Sequence, residues 1–154
     1  MKIVKKHKDL ELIIDERIFN EICAVGINHY PNEFGGFLIG NYSDDFKSLQ
    51  IRNYILPKKY KGFPTLFKRS IDGIIIQFKR LFTQKNQYYI GEWHTHLNGS
   101  TQFSQTDLNA MIQTVECETV HIKNPILLIL SINNKSLNSF TFYFYDNKKL
   151  ISYE

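Results

Sequence analysis

The sequence contains few of the features that mark secreted or membrane-anchored proteins. It has only two cysteines, Cys23 and Cys117, and one possible pair is too little for the disulfide framework of an extracellular domain. No apolar run approaches the roughly 20 residues that span a bilayer. The lysine-rich N-terminal segment lacks the apolar region and small-residue cleavage site of a secretion signal. These absences predict a cytoplasmic protein with two packed thiols.

Internal repeats and low-complexity tracts are also absent from the sequence. Its 154 residues, of which 43% are hydrophobic, are enough to bury an apolar core without support from a metal or a disulfide. We therefore predict a single domain over residues 1–154.

Basic residues outnumber acidic residues by 19 to 15, giving a formal net charge of +4. Part of the excess lies between Lys58 and Arg69, where basic residues are interleaved with Tyr60, Phe63 and Phe67. Such a mixture could stack on bases and neutralise phosphates. However, the segment contains glycine and proline, and no helix-turn-helix, zinc-finger or RNA-binding signature accompanies it. A solvated loop is the favoured interpretation. If the segment is functional, a substrate-facing insertion near the site is favoured over the alternative of a nucleic-acid-binding module.

Apolar periodicity and turn residues predict alternating strands and helices. The predicted strands cover residues 10–14, 36–41, 49–55, 87–96, 125–132 and 139–145. The predicted helices cover residues 15–29, 70–82 and 104–118, with Ser70 capping the second. The strands at 36–41 and 49–55 should pair antiparallel, as should the last two. This order predicts an α/β sandwich with a mixed, curved central sheet.

The most informative stretch begins at His94-Thr95-His96 and continues, after seven residues, to Ser104 and Asp107. Side chains two apart on a strand share a face, so the two imidazoles should project toward one point. Catalytic zinc characteristically has three protein ligands and an open position for water. The spacing predicts a hydrolytic site with one zinc ion per chain, held by His94, His96 and Asp107.

Each part of this pattern also has a purely structural interpretation. The two histidines could be ordinary polar strand residues. A serine followed three residues later by an acid is typical of a helix N-terminus, so capping alone explains Ser104 and Asp107. Capping and metal binding are nevertheless compatible, because the remaining oxygens can face a cation. The joint spacing of four residue types favours the metal site.

Together with the upstream segment Glu33-Phe34-Gly35-Gly36-Phe37-Leu38-Ile39-Gly40, these residues resemble the JAMM motif of the MPN/JAB metalloprotease family. The resemblance implies a general acid/base at Glu33, zinc ligands at His94, His96 and Asp107, and an oxyanion-stabilising hydroxyl at Ser104. It also implies an MPN/JAB-like (cytidine-deaminase-like) fold, a three-layer sandwich with a curved mixed sheet flanked by helices.

The string Gly91-Glu92-Trp93-His94-Thr95-His96 further resembles a bacterial branch of that family. Its members occur beside ubiquitin-activating-like and conjugating-like enzymes in anti-phage operons such as CBASS. The resemblance implies an isopeptidase or peptidase that releases the C-terminus of a ubiquitin-like protein, or of a nucleotidyltransferase, from its target. Leu97 and Phe103 stand where many relatives have proline, which bears on the rigidity of the loop between them. A catalytically silent MPN-type scaffold that binds partner proteins is the alternative.

Other residues compete for these roles with weaker signals. Glu92 has the strand parity of the two histidines and is an alternative base, whereas His7, His29 and His121 have no companion at ligand spacing. Neither cysteine lies in a context that would activate a nucleophile. Gly35 and Gly36 lack a Cβ, which suggests that a substrate tail could pair with an exposed sheet edge there.

Overall fold

The computed structural model describes residues 1–118 and 120–154, in which ten strands and three helices occur. In chain order the elements are β1 (Lys2–His7), β2 (Leu10–Asp15), α1 (Glu16–Asn28), β3 (Gly35–Tyr42), β4 (Ser48–Ile55), β5 (Lys59–Phe63), β6 (Leu66–Ser70), α2 (Ile75–Lys85), β7 (Tyr88–Leu97), α3 (Gln105–Glu116), β8 (Ile126–Ile132), β9 (Leu137–Asp146) and β10 (Lys149–Ser152). None of these helices combines the length and apolar character needed to cross a membrane.

Eight strands form one mixed sheet in the order β1-β2-β4-β3-β7-β8-β9-β10, and β5 pairs with β6 in a separate hairpin. The pairs β2–β4 and β7–β8 are parallel, whereas the other neighbours in the large sheet are antiparallel. The predicted antiparallel pairing of β3 with β4 and of β8 with β9 is confirmed. The mixed sheet and the α/β class are confirmed with it.

The large sheet curves until its two ends approach each other. Lys6 in β1 and Glu154 exchange two backbone hydrogen bonds of 2.9 and 2.7 Å. The Lys5 ammonium lies 5.1 Å from the centroid of the Phe140 ring in β9. The concave face of the sheet therefore encloses the helix that packs on it, which is α1.

Helices cover both faces of the sheet, as the alternation along β8 demonstrates. Leu128 and Leu130 belong to the core that contains the apolar face of α1, whereas Leu127 and Ile129 pack with Met111 of α3. A third cluster joins Phe37 of β3 to residues at the start of α2 and within it. All seven residues of β8 are buried, since helices cover both faces of this strand, and all of them except Ser131 are apolar. The predicted three-layer sandwich is confirmed.

The segment predicted as a loop between Lys58 and Arg69 is instead the β5–β6 hairpin. Aromatic packing explains its order, because Tyr60 and Phe67 lie 4.9 and 5.5 Å from Phe34 between ring centroids. The prediction that Ser70 caps a helix was also wrong. Ser70 ends β6, where its hydroxyl accepts from the Asp72 amide at 3.1 Å, and α2 begins only at Ile75.

Two edge elements and one thiol also differ from the prediction. The strands β1 and β10 were missed, since β1 exposes alternate residues and its lysines mimic a solvated tail. Cys23 is buried as predicted, but Cys117 follows the last turn of α3 and is exposed. The prediction of two packed thiols is therefore wrong for Cys117.

Gly35 and Gly36 open β3 and pair with β7, whereas the pairing of β3 with β4 begins only at Phe37. Gly35 is the register partner of His94, and Gly36 is the partner of Trp93. A Cβ on Gly35 would fall onto the carbonyl oxygen of Trp93 and crowd the Cβ of His94. The lack of a side chain at Gly35 therefore permits the close approach of β3 to β7. That side of the strand is closed to a substrate tail, and pairing of a tail on the opposite side stays a prediction.

Replacing Gly35 with alanine should therefore destabilise the protein. The added methyl would have to push β3 away from β7, and overpacking of this kind costs about 1–3 kcal/mol. Gly99→Ala is the matched control, because its Cβ would meet nothing closer than the Leu97 carbonyl oxygen at 3.6 Å. Thermal unfolding of the metal-free proteins should give a lower Tm for Gly35→Ala alone. Equal Tm values would contradict the close approach.

Candidate metal centre

The two histidines of β7 point to the face of the sheet that α3 covers. Their Nε2 atoms lie 3.2 Å apart. Trp93 and Thr95 alternate with them and are buried on the opposite face, against α1. The strand therefore separates the two imidazoles from the main core and presents them together, as period-two geometry requires.

Asp107 reaches the histidines from the first turn of α3. Its Oδ1 lies 3.2 Å from Nε2 of His94, and its Oδ2 lies 3.4 Å from Nε2 of His96. The helix starts there because Ser104 and Asp107 form a capping box. The Asp107 amide donates to the Ser104 hydroxyl at 3.1 Å, and the Ser104 amide donates to Oδ2 at 2.7 Å. The first turn of α3 therefore caps the helix and also places Asp107 against the two histidines.

The separations within this cluster can be compared with those around a tetrahedral cation. Zinc binds nitrogen and oxygen at about 2.0–2.2 Å, so two ligand atoms on a tetrahedral edge lie about 3.3–3.6 Å apart. The three observed separations of 3.2, 3.2 and 3.4 Å are close to that edge, and the two that involve Asp107 run to different oxygens of its carboxylate. The positions of His94, His96 and Asp107 therefore fit a single zinc ion.

Charge and burial make this donor set suitable for a cation. Burial opposes ionisation of Asp107, but hydrogen bonds from His94 and His96 outweigh it and hold the pKa of this carboxyl well below its usual range. Burial lowers the pKa of His96, yet the neighbouring Asp107 carboxylate and Ser100 carbonyl raise it above its ordinary value. The cluster thus contains an ionised carboxylate that attracts positive charge.

Glu33 completes the group from the segment that precedes β3. A carboxylate oxygen of Glu33 lies within 4.8 Å of ring nitrogens of both His94 and His96. Its side chain is buried, with 7% exposed, and burial raises its pKa, opposed by the two histidines and reinforced by Asp107. By distance alone, Glu33 could also share a metal ion with the two histidines.

Thr95, which separates the two histidines, fixes the position of Glu33. Its amide donates to the carbonyl of Phe34 at 2.9 Å, and its Oγ1 accepts from the Phe34 amide at 3.0 Å. The Glu33 amide donates to the carbonyl of Phe63 in the β5–β6 hairpin at 2.9 Å. Glu33 is thus held between β7 and the hairpin. The sequence did not reveal this role for Thr95.

The Ser104 hydroxyl lines the same cavity as Glu33, His94, His96 and Asp107. Because its oxygen accepts from the Asp107 amide, the hydroxyl proton is available to another acceptor. Ser104 can therefore cap α3 and donate a hydrogen bond into the cavity at the same time.

The competing residues have other partners. Glu92 receives two hydrogen bonds of 2.6 Å from Arg69 and one of 3.0 Å from the Tyr89 hydroxyl. This arrangement favours Glu33 over Glu92 as the base. His29 stacks on Phe34 at 3.7 Å between ring centroids, and His7 packs against Phe144 at 5.3 Å.

A cleft runs past the cluster between β6 and α3. It comprises two cavities, of about 410 and 440 Å³, that share Leu66, Phe67, His94, Thr106 and Asp107. A larger cavity of about 920 Å³, near Tyr42 and Tyr153, contains none of the five predicted site residues. Since the chemical groups converge on the smaller pair of cavities, these form the candidate substrate cleft.

The β5–β6 hairpin is only partly engaged in contacts within the protein. Tyr60 and Phe67 pack on Phe34, and the Arg69 guanidinium pairs with Glu92 and lies 5.4 Å from the centroid of the Phe37 ring. Lys59, Lys61 and Lys68 are exposed, as is about half of Phe63. The hairpin forms one wall of the cleft, and its use as a nucleic-acid-binding surface stays an untested alternative.

Comparisons with known proteins agree with the fold and the motif. The model of a family described as prokaryotic homologs of the JAB domain matches residues 15–143. A protein of Enterobacter hormaechei named CD-NTase/cGAS isopeptidase is 29% identical over 116 residues, which cover 75% of this chain and 62% of that protein. The chain thus spans less than two thirds of the length of this curated relative.

Two solved structures are similar in fold. A protein from Desulfitobacterium hafniense superimposes with a TM-score of 0.66 at 14% identity, covering 90% of this chain and 87% of its own. A protein from Salinibacter ruber gives a TM-score of 0.54 at 16% identity, with coverage of 90% and 89%. At such identities the likeness concerns the fold alone.

The buried thiol provides a test against cysteine chemistry. Burial raises the pKa of Cys23 to about 11, so about one thiol in a thousand is ionised at pH 8, and the thiolate is the reactive form. Iodoacetamide at pH 8 should therefore modify exposed Cys117 and spare Cys23 in the native protein, while both react in urea. Peptide mass spectrometry measures the two sites. Rapid alkylation of Cys23 in the folded protein would instead support a nucleophilic cysteine.

Proposed function

The chain belongs to the family of prokaryotic homologues of the JAB domain, and from this membership we propose that it is a zinc-dependent isopeptidase. The observation that carries the proposal is the convergence of two imidazole Nε2 atoms and the Asp107 carboxylate at separations of 3.2–3.4 Å, with the buried carboxylate of Glu33 beside them. The capping box alone does not require Asp107 to face two imidazoles. A hydrolytic metal centre accounts for both arrangements.

The substrate that we propose is a conjugate joined through the C-terminus of a nucleotidyltransferase to a target amine. The name of the relative, CD-NTase/cGAS isopeptidase, supports this choice. The C-terminus of a ubiquitin-like protein is the related possibility. In either case the proposed setting is the cytoplasm, in antiviral defence, with activating-like and conjugating-like enzymes as partners.

In the proposed reaction, His94, His96 and Asp107 would hold one zinc ion, and Glu33 moves the proton. A zinc ion held there would supply Lewis-acid chemistry, lowering the pKa of a water molecule and polarising the scissile carbonyl. Glu33 accepts the proton of the attacking water and delivers it to the leaving amine. Burial supports this role because it raises the pKa of Glu33 from its ordinary acidic value.

Ser104 supplies the remaining polar contact. Its hydroxyl proton is not used in capping, so it can donate to the carbonyl oxygen as negative charge develops there. Removing such a donor costs on the order of 3 kcal/mol of transition-state stabilisation. The cleft between β6 and α3 accommodates an extended peptide beside these groups.

Metal content tests the proposed ligand set. The wild-type protein should bind about one zinc per chain, and His94→Ala or Asp107→Ala should reduce this to a small fraction because each removes a ligand. His7→Ala is the matched control, since His7 packs against Phe144 away from the cluster. Metal analysis after dialysis measures the content. A wild-type protein without zinc after reconstitution would instead support the silent scaffold.

A pair of glutamine variants tests the base. Glu33→Gln should retain zinc but lose hydrolysis by about 10²-fold or more, because an amide cannot accept the proton of the attacking water. Glu92→Gln is the control on the neighbouring strand and should keep most activity. Cleavage of a purified conjugate is followed together with metal content. An active Glu33→Gln protein beside an inactive Glu92→Gln protein would transfer the role to Glu92.

A further inference from the structure

The loop between β7 and α3 supports one of the two imidazoles. The Nδ1 atom of His96 lies 3.1 Å from the backbone oxygen of Ser100. A carbonyl oxygen only accepts hydrogen bonds, so Nδ1 must carry the proton. When the ring is neutral, its lone pair is then on Nε2, the atom that faces His94 and Asp107. The hydrogen bond from His96 to Asp107 belongs to the charged ring, in which both nitrogens carry a proton. The position of the Ser100 carbonyl therefore determines both the tautomer and the orientation of the His96 ring.

Side chains from β8 and β9 hold the residues on either side of Ser100. The Ser131 hydroxyl donates to the Gly99 carbonyl at 2.5 Å, and the Tyr143 hydroxyl donates to the Thr101 carbonyl at 2.7 Å. A third contact of 2.7 Å joins the Thr101 and Thr141 hydroxyls. The loop is thus fixed immediately before and immediately after the carbonyl that contacts His96.

Ser131 is a polar residue in a strand whose other residues are all apolar, and its hydrogen bond to Gly99 explains how it is accommodated there. The side chain has 0% exposure, and β8 is otherwise composed of leucine and isoleucine. A buried hydroxyl without a hydrogen-bond partner would destabilise the fold. Its hydrogen bond to Gly99 avoids this loss of stability, and it directs a polar group from the core to the loop beside the cluster.

The loop itself has little intrinsic rigidity. It contains Gly99, and no proline occurs from residue 97 to residue 103. Without pyrrolidine rings, the backbone dihedrals at these positions are less restricted. The hydrogen bonds from β8 and β9 provide the restraint that the loop sequence does not.

We propose that Ser131 and Tyr143 are positioning residues of the metal centre, which hold the Ser100 carbonyl so that His96 presents Nε2. This inference rests on the proposed function for its consequence, the binding of zinc, but not for the hydrogen bonds themselves. Groups that orient a metal-binding histidine through its second nitrogen typically contribute 10–100-fold to metal affinity. Ser131 and Tyr143 act one step further away, through the loop.

The experiment compares Ser131→Ala and Tyr143→Phe with the wild-type protein and with Tyr145→Phe. Tyr145 is buried two residues from Tyr143 on the same face of β9, and none of its described hydrogen bonds reaches the loop. Tyr143→Phe keeps the ring that packs against Phe103 at 5.4 Å and removes only the hydroxyl. It should therefore remain folded even if Ser131→Ala does not.

Two measurements are made on each folded variant. Imidazole nitrogen shifts of the ¹⁵N-labelled, metal-free protein, at a pH where the ring is neutral, report the tautomer of His96. Competition with a chromophoric chelator reports zinc affinity. We expect Ser131→Ala and Tyr143→Phe to reduce the population with a protonated Nδ1 and to weaken zinc binding about tenfold. Tyr145→Phe should match the wild type in both measurements.

The two measurements separate failure of this inference from failure of the proposed function. If Tyr143→Phe is folded and has the wild-type tautomer population and zinc affinity, the positioning role is wrong. If the wild-type protein binds no zinc, the proposed function is wrong, and the tautomer measurement still decides whether the loop is held as described. A lower Tm with an unchanged tautomer population would mean that the contacts only stabilise the fold, and would also overturn the inference.

Discussion

The cluster depends on a single carboxylate that satisfies two neighbouring requirements. The first turn of α3 leaves backbone amides unpaired, and the capping box of Ser104 and Asp107 satisfies two of them. The same Asp107 side chain lies against both imidazoles of β7. The start of the helix and the geometry of the cluster are therefore coupled, because a shift of the N-terminus along the sequence would withdraw the carboxylate from the histidines.

The position of Glu33 depends on the register between β3 and β7. Gly35 lies opposite His94, and the close approach there requires the absence of a Cβ. Thr95 then binds the backbone of Phe34 through both its amide and its hydroxyl. A slip of one residue along the strand would turn every side chain to the other face. The pairing of β3 with β7, together with the contacts of Thr95, therefore positions the Glu33 carboxylate relative to the two imidazoles.

The sequence predicted the elements whose signals are local and the residues whose spacing is chemically specific. The spacing from His94 to Asp107 and the helix predicted at residues 15–29, which is α1, are of this kind. The β5–β6 hairpin could not be predicted, because the packing of Tyr60 and Phe67 depends on Phe34, which is distant in the sequence. The same applies to Ser131, whose partner is a loop carbonyl 32 residues earlier. Edge strand β1 was missed because its exposed lysines lack a clear apolar alternation.

The β5–β6 hairpin makes a backbone hydrogen bond and an ion pair with other parts of the protein. Near the end of β5, the carbonyl of Phe63 holds the amide of Glu33, and near the end of β6, Arg69 grips Glu92, two residues before His94. The hairpin is therefore linked both to the segment that carries Glu33 and to the strand that carries the two histidines. A displacement of this wall would be transmitted to both sides of the cluster at once.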